Sequence, residues 1–463
     1  MKKYSVIALG SLLLSLTGCQ TYIDVNKNPN QPLTVQPALL LAPLELAVAN
    51  ELMAGDAARF TNHWTQMIAS NQPVPNEGTY RQLNEEVNNQ WWINYTTCLQ
   101  NMKVLRERAE ADNSYNYSAI ADILTALTLG MTTDLWGDVP YSQAFQGSAN
   151  FRPAYDKQED IYKSIDSLLD RAIASIDKKS LLKPGGDDYY YGGDMSKWRR
   201  AAYTLKARFA MHLIKAPGRT ATAQADLALG ALQNGMAANS DDMKMFYLGG
   251  AGQQNKQNQN FLPVSTQIMS KQAVDTLVLR NDPRLSKIIA PATETGKYTG
   301  RAIGLQDIGS LASYSILGDF YGAASANLYI LTYAEALFLK AEATLYKSGA
   351  TAAEPIYQSA VKANMSALGV SDTDASTYLN RRGKLTSSNA LRLIIEEKVI
   401  ANYLSPENYT DWRRTGYPLL AKVPNALSDI PRRFLYPRSE LTTNPQTGQD
   451  AKLTDRVWWD VSK

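Results

Sequence analysis

This 463-residue sequence predicts a mostly α-helical protein, and three observations carry that prediction. Apolar residues recur every three or four positions through several long segments, the spacing that lines one face of a helix. Two of those segments end in a turn signal followed by a second helical stretch, so they read as helix pairs. Between the helices run long segments rich in Gly, Asn, Gln and aromatic residues; loops of that length are usually functional or disordered, and the many aromatics make disorder the weaker option.

The chain opens on a targeting segment. Lys2 and Lys3 precede a short apolar stretch from Val6 to Leu16, too short to span a bilayer, so residues 1–18 read as a leader. Leu16-Thr17-Gly18-Cys19 resembles a bacterial lipobox, in which Cys19 is lipidated and becomes the first residue. Several acyl chains exceed the two-signal threshold for stable anchoring, since each buried methylene contributes roughly 0.8 kcal/mol. Gln20 after the cysteine fits sorting to the outer membrane. Residues 19–37 are polar and punctuated by proline, which predicts a tether.

Helices are then expected over Ala38–Met53, Asn84–Ala111, Ser118–Asp134 and Gln158–Ile176. In the first clear pair, Trp198, Ala202, Leu205, Phe209 and Leu213 form one stripe; Pro217-Gly218 breaks it, and Thr220–Met236 returns. In the second, the stripe is Leu328, Leu331, Ala334, Phe338, Ala341 and Leu345. Ser348-Gly349 makes the turn, and Ile356, Ala360, Val361, Met365 and Leu368 line the returning helix. Leu205-Lys206-Ala207 and Leu339-Lys340-Ala341 hold similar places in the two pairs. The hairpin that begins at Tyr333-Ala334-Glu335-Ala336 therefore resembles a tetratricopeptide-like repeat, although the spacing between pairs is irregular. The long loops fall at about 70–83, 134–155, 183–195, 238–262 and 291–326.

Composition removes several function classes. Once Cys19 is acylated only Cys98 remains, which leaves no intrachain disulfide and no cysteine-based metal site. The formal charge of +3 falls to about +1 when the leader takes Lys2 and Lys3 with it, and no basic run alternates with aromatics. Nucleic acid is accordingly not an expected partner.

Several further motifs follow one another along the chain. The lipobox is followed by Asn26-Lys27-Asn28-Pro29-Asn30, and an early helix ends in Asp134-Leu135-Trp136-Gly137-Asp138-Val139-Pro140-Tyr141. The Tyr333-to-Glu342 helix comes next, then Asp411-Trp412-Arg413-Arg414-Thr415-Gly416. Arg433-Phe434-Leu435-Tyr436-Pro437 closes the series, with Glu440 and Asn444-Pro445 after it. Taken in order, these motifs resemble those of SusD/RagB-type nutrient-binding lipoproteins. Between Ile395 and Asp411 many members carry a Glu-Gly-Arg-like run where this chain reads Ser405-Pro406-Glu407-Asn408, which places it on a divergent branch.

The resemblance implies a single domain over 38–463. Tetratricopeptide-like helix pairs would form its scaffold, with long loops and a few short strands building a ligand-binding face. It also implies a partner, a TonB-dependent outer-membrane barrel of the SusC kind, and an oligosaccharide or peptide ligand. It implies no cofactor. By the same analogy two regions approach the ligand: Gln72, Asn76, Tyr80 and Arg81 in one loop, and Tyr314, Asp319, Phe320 and Tyr321 in another. Tyrosine suits stacking on a sugar and packing in a loop equally well.

Other aromatic and acidic residues have plainer readings. At least one of the adjacent Trp91 and Trp92 belongs to the core, because neighbours on a helix diverge by about 100°. Trp136 reads as a plug at a helix end. Tyr189-Tyr190-Tyr191 would contact ligand or barrel, and the amide-rich run Gln253–Asn260 reads as a solvated loop. Glu396-Glu397 reads as a solvated or ion-paired face. The catalytic inventory is thin: His63 and His212 are the two histidines, and HExxH, GxSxG and Walker-type motifs are missing. A nutrient-binding lipoprotein without catalysis is therefore the expectation. Its rivals are a lipid-anchored helical glycoside hydrolase or lyase, which would need two acids about 5–10 Å apart, and a plug that gates a barrel without binding ligand.

Overall fold

The computed structural model describes residues 35–262, 266–446 and 448–461. The leader, Cys19, the Asn26–Asn30 motif and most of the tether lie outside the described residues. Helices dominate, and the first is α1 (Pro37–Ala47), which continues through one π-type turn (Val48–Leu52) and is followed by α2 (Asp56–Trp64). The expected long helix over Asn84–Ala111 is segmented: α3 (Asn88–Trp92), a π-type stretch (Ile93–Leu99) and α4 (Gln100–Ala111). The two π-type turns pack on one another, so the local widening of each helix is met by its neighbour.

From α4 onward consecutive helices lie side by side. They are α5 (Tyr115–Trp136), α6 (Gln158–Ile176), α7 (Met195–His212) and α8 (Ala221–Ala231). After α9 (Lys271–Leu279) come α10 (Tyr333–Ser348), α11 (Ala350–Ala367), α12 (Asp372–Arg382), α13 (Ala390–Ala401) and α14 (Glu407–Thr415). α10 packs on both α8 and α11, which joins the two predicted pairs into one scaffold. The Ala and Leu of the paired fragments are buried at these seams, among them Leu205, Ala207, Leu339 and Ala341. α5 is buried almost all round and passes close to α7. A methyl group on Gly130 would stand 2.4 Å from the Phe209 ring, so the ring or the helix must shift to admit it.

One element differs from the sequence expectation in kind. Leu328 and Leu331 do not extend the helical stripe; they belong to a strand (Leu328–Leu331) that pairs antiparallel with Met243–Met245. Thr332 ends the strand and caps α10, its hydroxyl accepting from the Glu335 backbone N–H at 3.1 Å. The run Leu-Tyr-Ile-Leu is apolar almost throughout, so the three-residue spacing of Leu328 and Leu331 fitted a helical stripe although in the strand the two point to opposite faces. The remaining strands are two- and three-residue pairings, including Ile68–Ser70 with Gln267–Met269, and Val139–Pro140 with Tyr155–Asp156.

The motif residues lock the scaffold from inside. Trp136 is fully buried and donates its indole N–H to the Leu435 carbonyl at 2.8 Å, which makes it the expected plug. Asp411, Arg414 and Lys398 are buried and paired: Lys398 Nζ lies 2.9 Å from Asp411, and Arg414 reaches both Asp411 and Glu342. Arg208 grips Glu335 through Nε and Nη2, each at 2.7 Å. Glu396-Glu397 is ion-paired rather than solvated: Glu397 is buried against Arg284 at 2.6 Å and Tyr378 at 2.6 Å. Gln253–Asn260 is not a plain solvated loop either. Asn255 is buried and donates to the carbonyls of Tyr321 (3.1 Å) and Ala326 (2.9 Å), while its side-chain oxygen caps a short helix (Lys256–Asn260).

Candidate binding face

Two of the long loops, 70–83 and 291–326, meet on one side of the scaffold with a third loop, the segment that follows α14. The Ile68–Ser70 pairing brings the start of the 70–83 loop beside residues 267–269. Asn71 then clasps Gly309 in both directions: Nδ2 donates to its carbonyl at 2.7 Å, and the Gly309 N–H donates back to Oδ1 at 3.2 Å. Arg301, itself buried, is the central post. Its Nε donates to the Ser70 carbonyl at 3.2 Å, Nη2 to the Asp307 carbonyl at 2.5 Å, and Nη1 to the Tyr314 hydroxyl at 3.2 Å. A guanidinium suits this task because its five N–H groups diverge in a fixed plane. The third loop closes the face through Leu427, whose N–H donates to the Thr79 carbonyl (3.0 Å), and through Asn425, whose amide reaches the Gly304 carbonyl (2.9 Å).

The predicted ligand residues take different places on and under this face. Gln72 is exposed at the tip of the first loop, and Arg81 is half-buried in an ion pair with Glu86 at 3.0 Å. Asn76 is buried and shapes the loop: its side chain accepts from the Gly78 N–H (2.9 Å) and donates to the Gln72 carbonyl (3.1 Å). Tyr80 is 1% exposed, adopts φ +67°, and its hydroxyl accepts from the Val423 N–H at 3.4 Å. Tyr314 is half-buried, its ring under the Arg301 guanidinium at 5.6 Å. Asp319, Phe320 and Tyr321 form a separate short turn. Asp319 is exposed, Phe320 stacks on Tyr329 (centroids 5.6 Å apart, planes 9°), and Tyr321 stacks on Tyr403 (5.9 Å, 21°).

Sequence reasoning therefore named both loops and missed the residues that join them. Asn71 and Arg301 carried little signal: Arg301 is a single Arg after Gly300 in a polar loop. Of the Tyr189–Tyr191 run, Tyr190 is buried with its hydroxyl donating to the Glu45 carbonyl, and Tyr189 is exposed.

Neither histidine sits in an open site. His212 is buried between Tyr162 (3.0 Å) and Glu407 (2.8 Å). Burial pushes its pKa down, but the Glu407 and Asp134 carboxylates outweigh that and raise it to about 9, so the ring is a charged structural post. His63 is buried too, and burial lowers its pKa. Among the described residues no group of three or more His, Cys, Asp or Glu could hold a metal ion.

The site is thus a helical scaffold with loops braced against one another on one side. The chain belongs to the SusD-like family described as starch-binding and associating with the outer membrane, which matches residues 29–437. Solved structures share the fold across nearly the whole chain. A SusD/RagB family protein from Bacteroides thetaiotaomicron is 23% identical, covers 93% of this chain and 100% of its own, and superposes with a TM-score of 0.81. A protein described as chitin-binding is 25% identical, with coverage of 92% and 100% and a TM-score of 0.79. A chitin-binding SusD homologue from Flavobacterium johnsoniae is 23% identical, with coverage of 92% and 99% and a TM-score of 0.80. No curated protein matches the chain.

Proposed function

We propose that this chain is a surface lipoprotein that captures oligosaccharides on the Arg301-braced face and delivers them to a TonB-dependent outer-membrane barrel. In this reading residues 1–18 are removed, Cys19 carries the lipid, residues 19–37 tether the protein and 38–463 form one binding domain. The chain performs no chemistry on its ligand. The observation that carries the reading is the clamp of Asn71 on Gly309 beside Arg301, which with the Leu427 and Asn425 bonds makes three loops one preformed surface in a family described as starch-binding. A preformed surface binds without the cost of ordering loops. On it Gln72 and Arg81 offer hydrogen bonds, Tyr314 offers a ring face, and Asp319, Phe320 and Tyr321 extend the acceptor and aromatic surface. Tyr80 and Asn76 act from beneath by fixing the loop. Two relatives described as chitin-binding support a sugar over a peptide.

The test is calorimetric titration with chitohexaose and maltohexaose, followed by product analysis of the same mixtures. Saturable binding without cleavage, weakened by Tyr314→Ala, is the expected result. Release of shorter products would replace this reading with the helical hydrolase or lyase, and a barrel co-purifying with a protein that binds neither sugar would replace it with the plug.

A further inference from the structure

Around the corner from that face lies a second open groove of about 460 Å³, within the size range of small-ligand sites. It shares no predicted ligand residue. The turn at 81–88 separates the two, with Arg81 paired to Glu86 on one side and Arg438 to Glu85 (2.9 Å) on the other. Helix α3, the loop from Pro140 to Pro153 and a short helix (Arg438–Thr443) build it.

Its floor is aromatic. Trp91 lies against Tyr95 (centroids 4.7 Å, planes 33°), and Tyr95 against Phe145 (6.0 Å, 32°). Its rim holds two of the most exposed aromatics of the protein, Trp92 at 55% and Phe151 at 77%. Exposed large apolar side chains gathered in a groove mark a binding surface, unlike the same residues scattered singly.

The loop that carries Phe145 and Phe151 is held in shape before any ligand arrives. Asp156 accepts from the backbone N–H groups of Tyr141 (2.8 Å) and Ser142 (2.7 Å), and the Gln143 side chain accepts from the Ala154 N–H at 3.3 Å. At the groove end the Glu440 carboxylate accepts from the Asn444 amide at 2.7 Å and is also hydrogen-bonded by Tyr155 and Trp91, which leaves part of its acceptor capacity for a ligand; burial raises its pKa against these bonds.

We propose that this groove is a second carbohydrate platform, which stacks one or two neutral sugar rings on Trp92 and Phe151 and takes their hydroxyls at Glu440. The proposal rests on the glycan-binding reading above and adds a site to it. Charge selects the occupant: Glu440 is the one ionisable acid or base among the lining residues, so a phosphate, sulfate or uronate finds no cation there. The backbone argues against a peptide, which needs main-chain partners. Pro140 and Pro153 have no N–H, and their carbonyls already accept from the Tyr95 hydroxyl (2.8 Å) and the Asn444 amide (3.0 Å). Flat ring faces beside a carboxylate suit the apolar face and hydroxyl edge of a pyranose. A chain long enough to reach the braced face as well would engage both sites, and linkage raises affinity through effective concentration.

The experiment compares the full chain with Trp92→Ala/Phe151→Ala, with Tyr314→Ala and with the triple variant, titrated with chitohexaose and maltohexaose and in pull-downs on insoluble chitin and starch. Both groove side chains are exposed, so circular dichroism and the melting temperature should stay unchanged. The expected result is that the groove variant loses on the order of a hundredfold in affinity for the polymer, the low end of what linkage gives. The Tyr314→Ala protein should keep weak binding that vanishes in the triple variant. Phe151→Trp with Trp92 kept, which preserves an aromatic face, should bind the polymer at least as well as the wild type. If the groove variant binds every ligand like the wild type while Tyr314→Ala weakens them, the groove proposal is overturned and the face stands. If the wild type binds neither sugar in any form, both readings fall.

Discussion

The guanidinium of Arg414 meets the carboxylate of Glu342 in a two-point contact sealed from solvent, with Nη2 2.6 Å from Oε2. The pair ties helix α14, at the end of the chain, to helix α10 of the second helix pair. Asp411 holds the other side of the same guanidinium at 2.6 Å, and Lys398 holds Asp411, so the Asp-Trp-Arg-Arg-Thr-Gly motif is an internal lock rather than a ligand site.

Breaking that lock on one side should be costly, because the surviving charge is stranded in the interior. Arg414→Met is expected to lower stability by about 3–5 kcal/mol, and Arg414→Met/Glu342→Leu to recover a large part of it. Urea denaturation of the two single variants and the double variant measures the coupling; equal and additive losses would mean the pair does not act as a unit.

His212 makes stability depend on pH at the alkaline side. Its folded pKa of about 9 lies above the ordinary value of 6.5. The contribution is therefore full below pH 6.5 and fades as pH rises through 9. Denaturation midpoints at pH 6, 7.5 and 9.5 should fall for the wild type, and the fall should be shallower in His212→Gln.

Glu45 titrates with the same sign for a different reason. Burial first, and then the Asp188 carboxylate, raise its pKa from 4.5 to about 10, so the folded protein keeps it neutral. Deionised Glu45 is fully favourable below pH 4.5, and its contribution is lost as pH climbs toward 10. Glu45→Gln mimics the neutral acid, so its thermal stability should exceed that of the wild type at pH 8 and match it near pH 4.5.

Gly130 should be intolerant of the smallest side chain. Gly130→Ala improves helix propensity yet drives a methyl into the Phe209 ring, and overpacking of this kind typically costs about 1–3 kcal/mol. Pairing it with Phe209→Leu should return some stability; a Gly130→Ala melting temperature above wild type would show that the two helices can part freely.

Arg301 offers a test of the face itself. Arg301→Lys keeps the charge but cannot reach Ser70, Asp307 and Tyr314 together, since an ammonium lacks the planar fork. Limited proteolysis should then cut within residues 302–312 while the helical circular dichroism is retained. Resistance equal to wild type would show that Asn71 alone holds the loop.

The helix pairs were legible in the sequence because burying one face of a helix imposes a local, periodic pattern. Gln158–Ile176 is a helix over the expected residues, and the Leu-Lys-Ala fragments of α7 and α10 do sit at buried seams. Where a pattern was short it was ambiguous: Leu328 and Leu331 satisfied a helical stripe and lie in a strand, since four residues do not distinguish the two periods.

What the sequence by itself determined is the scaffold, the loops that leave it and the family that carries both. Tertiary structure alone decided which loop side chains face outward. Tyr80 and Tyr314 were equivalent as residues in aromatic loops, yet one is sealed under Val423 and the other leans on Arg301. Arg301 joins Ser70 to Tyr314 across more than two hundred residues of chain, and Trp92 shares its groove with Phe151 and Glu440. Contacts so distant in sequence leave no local periodicity, because their geometry is fixed only when the helices between them have packed.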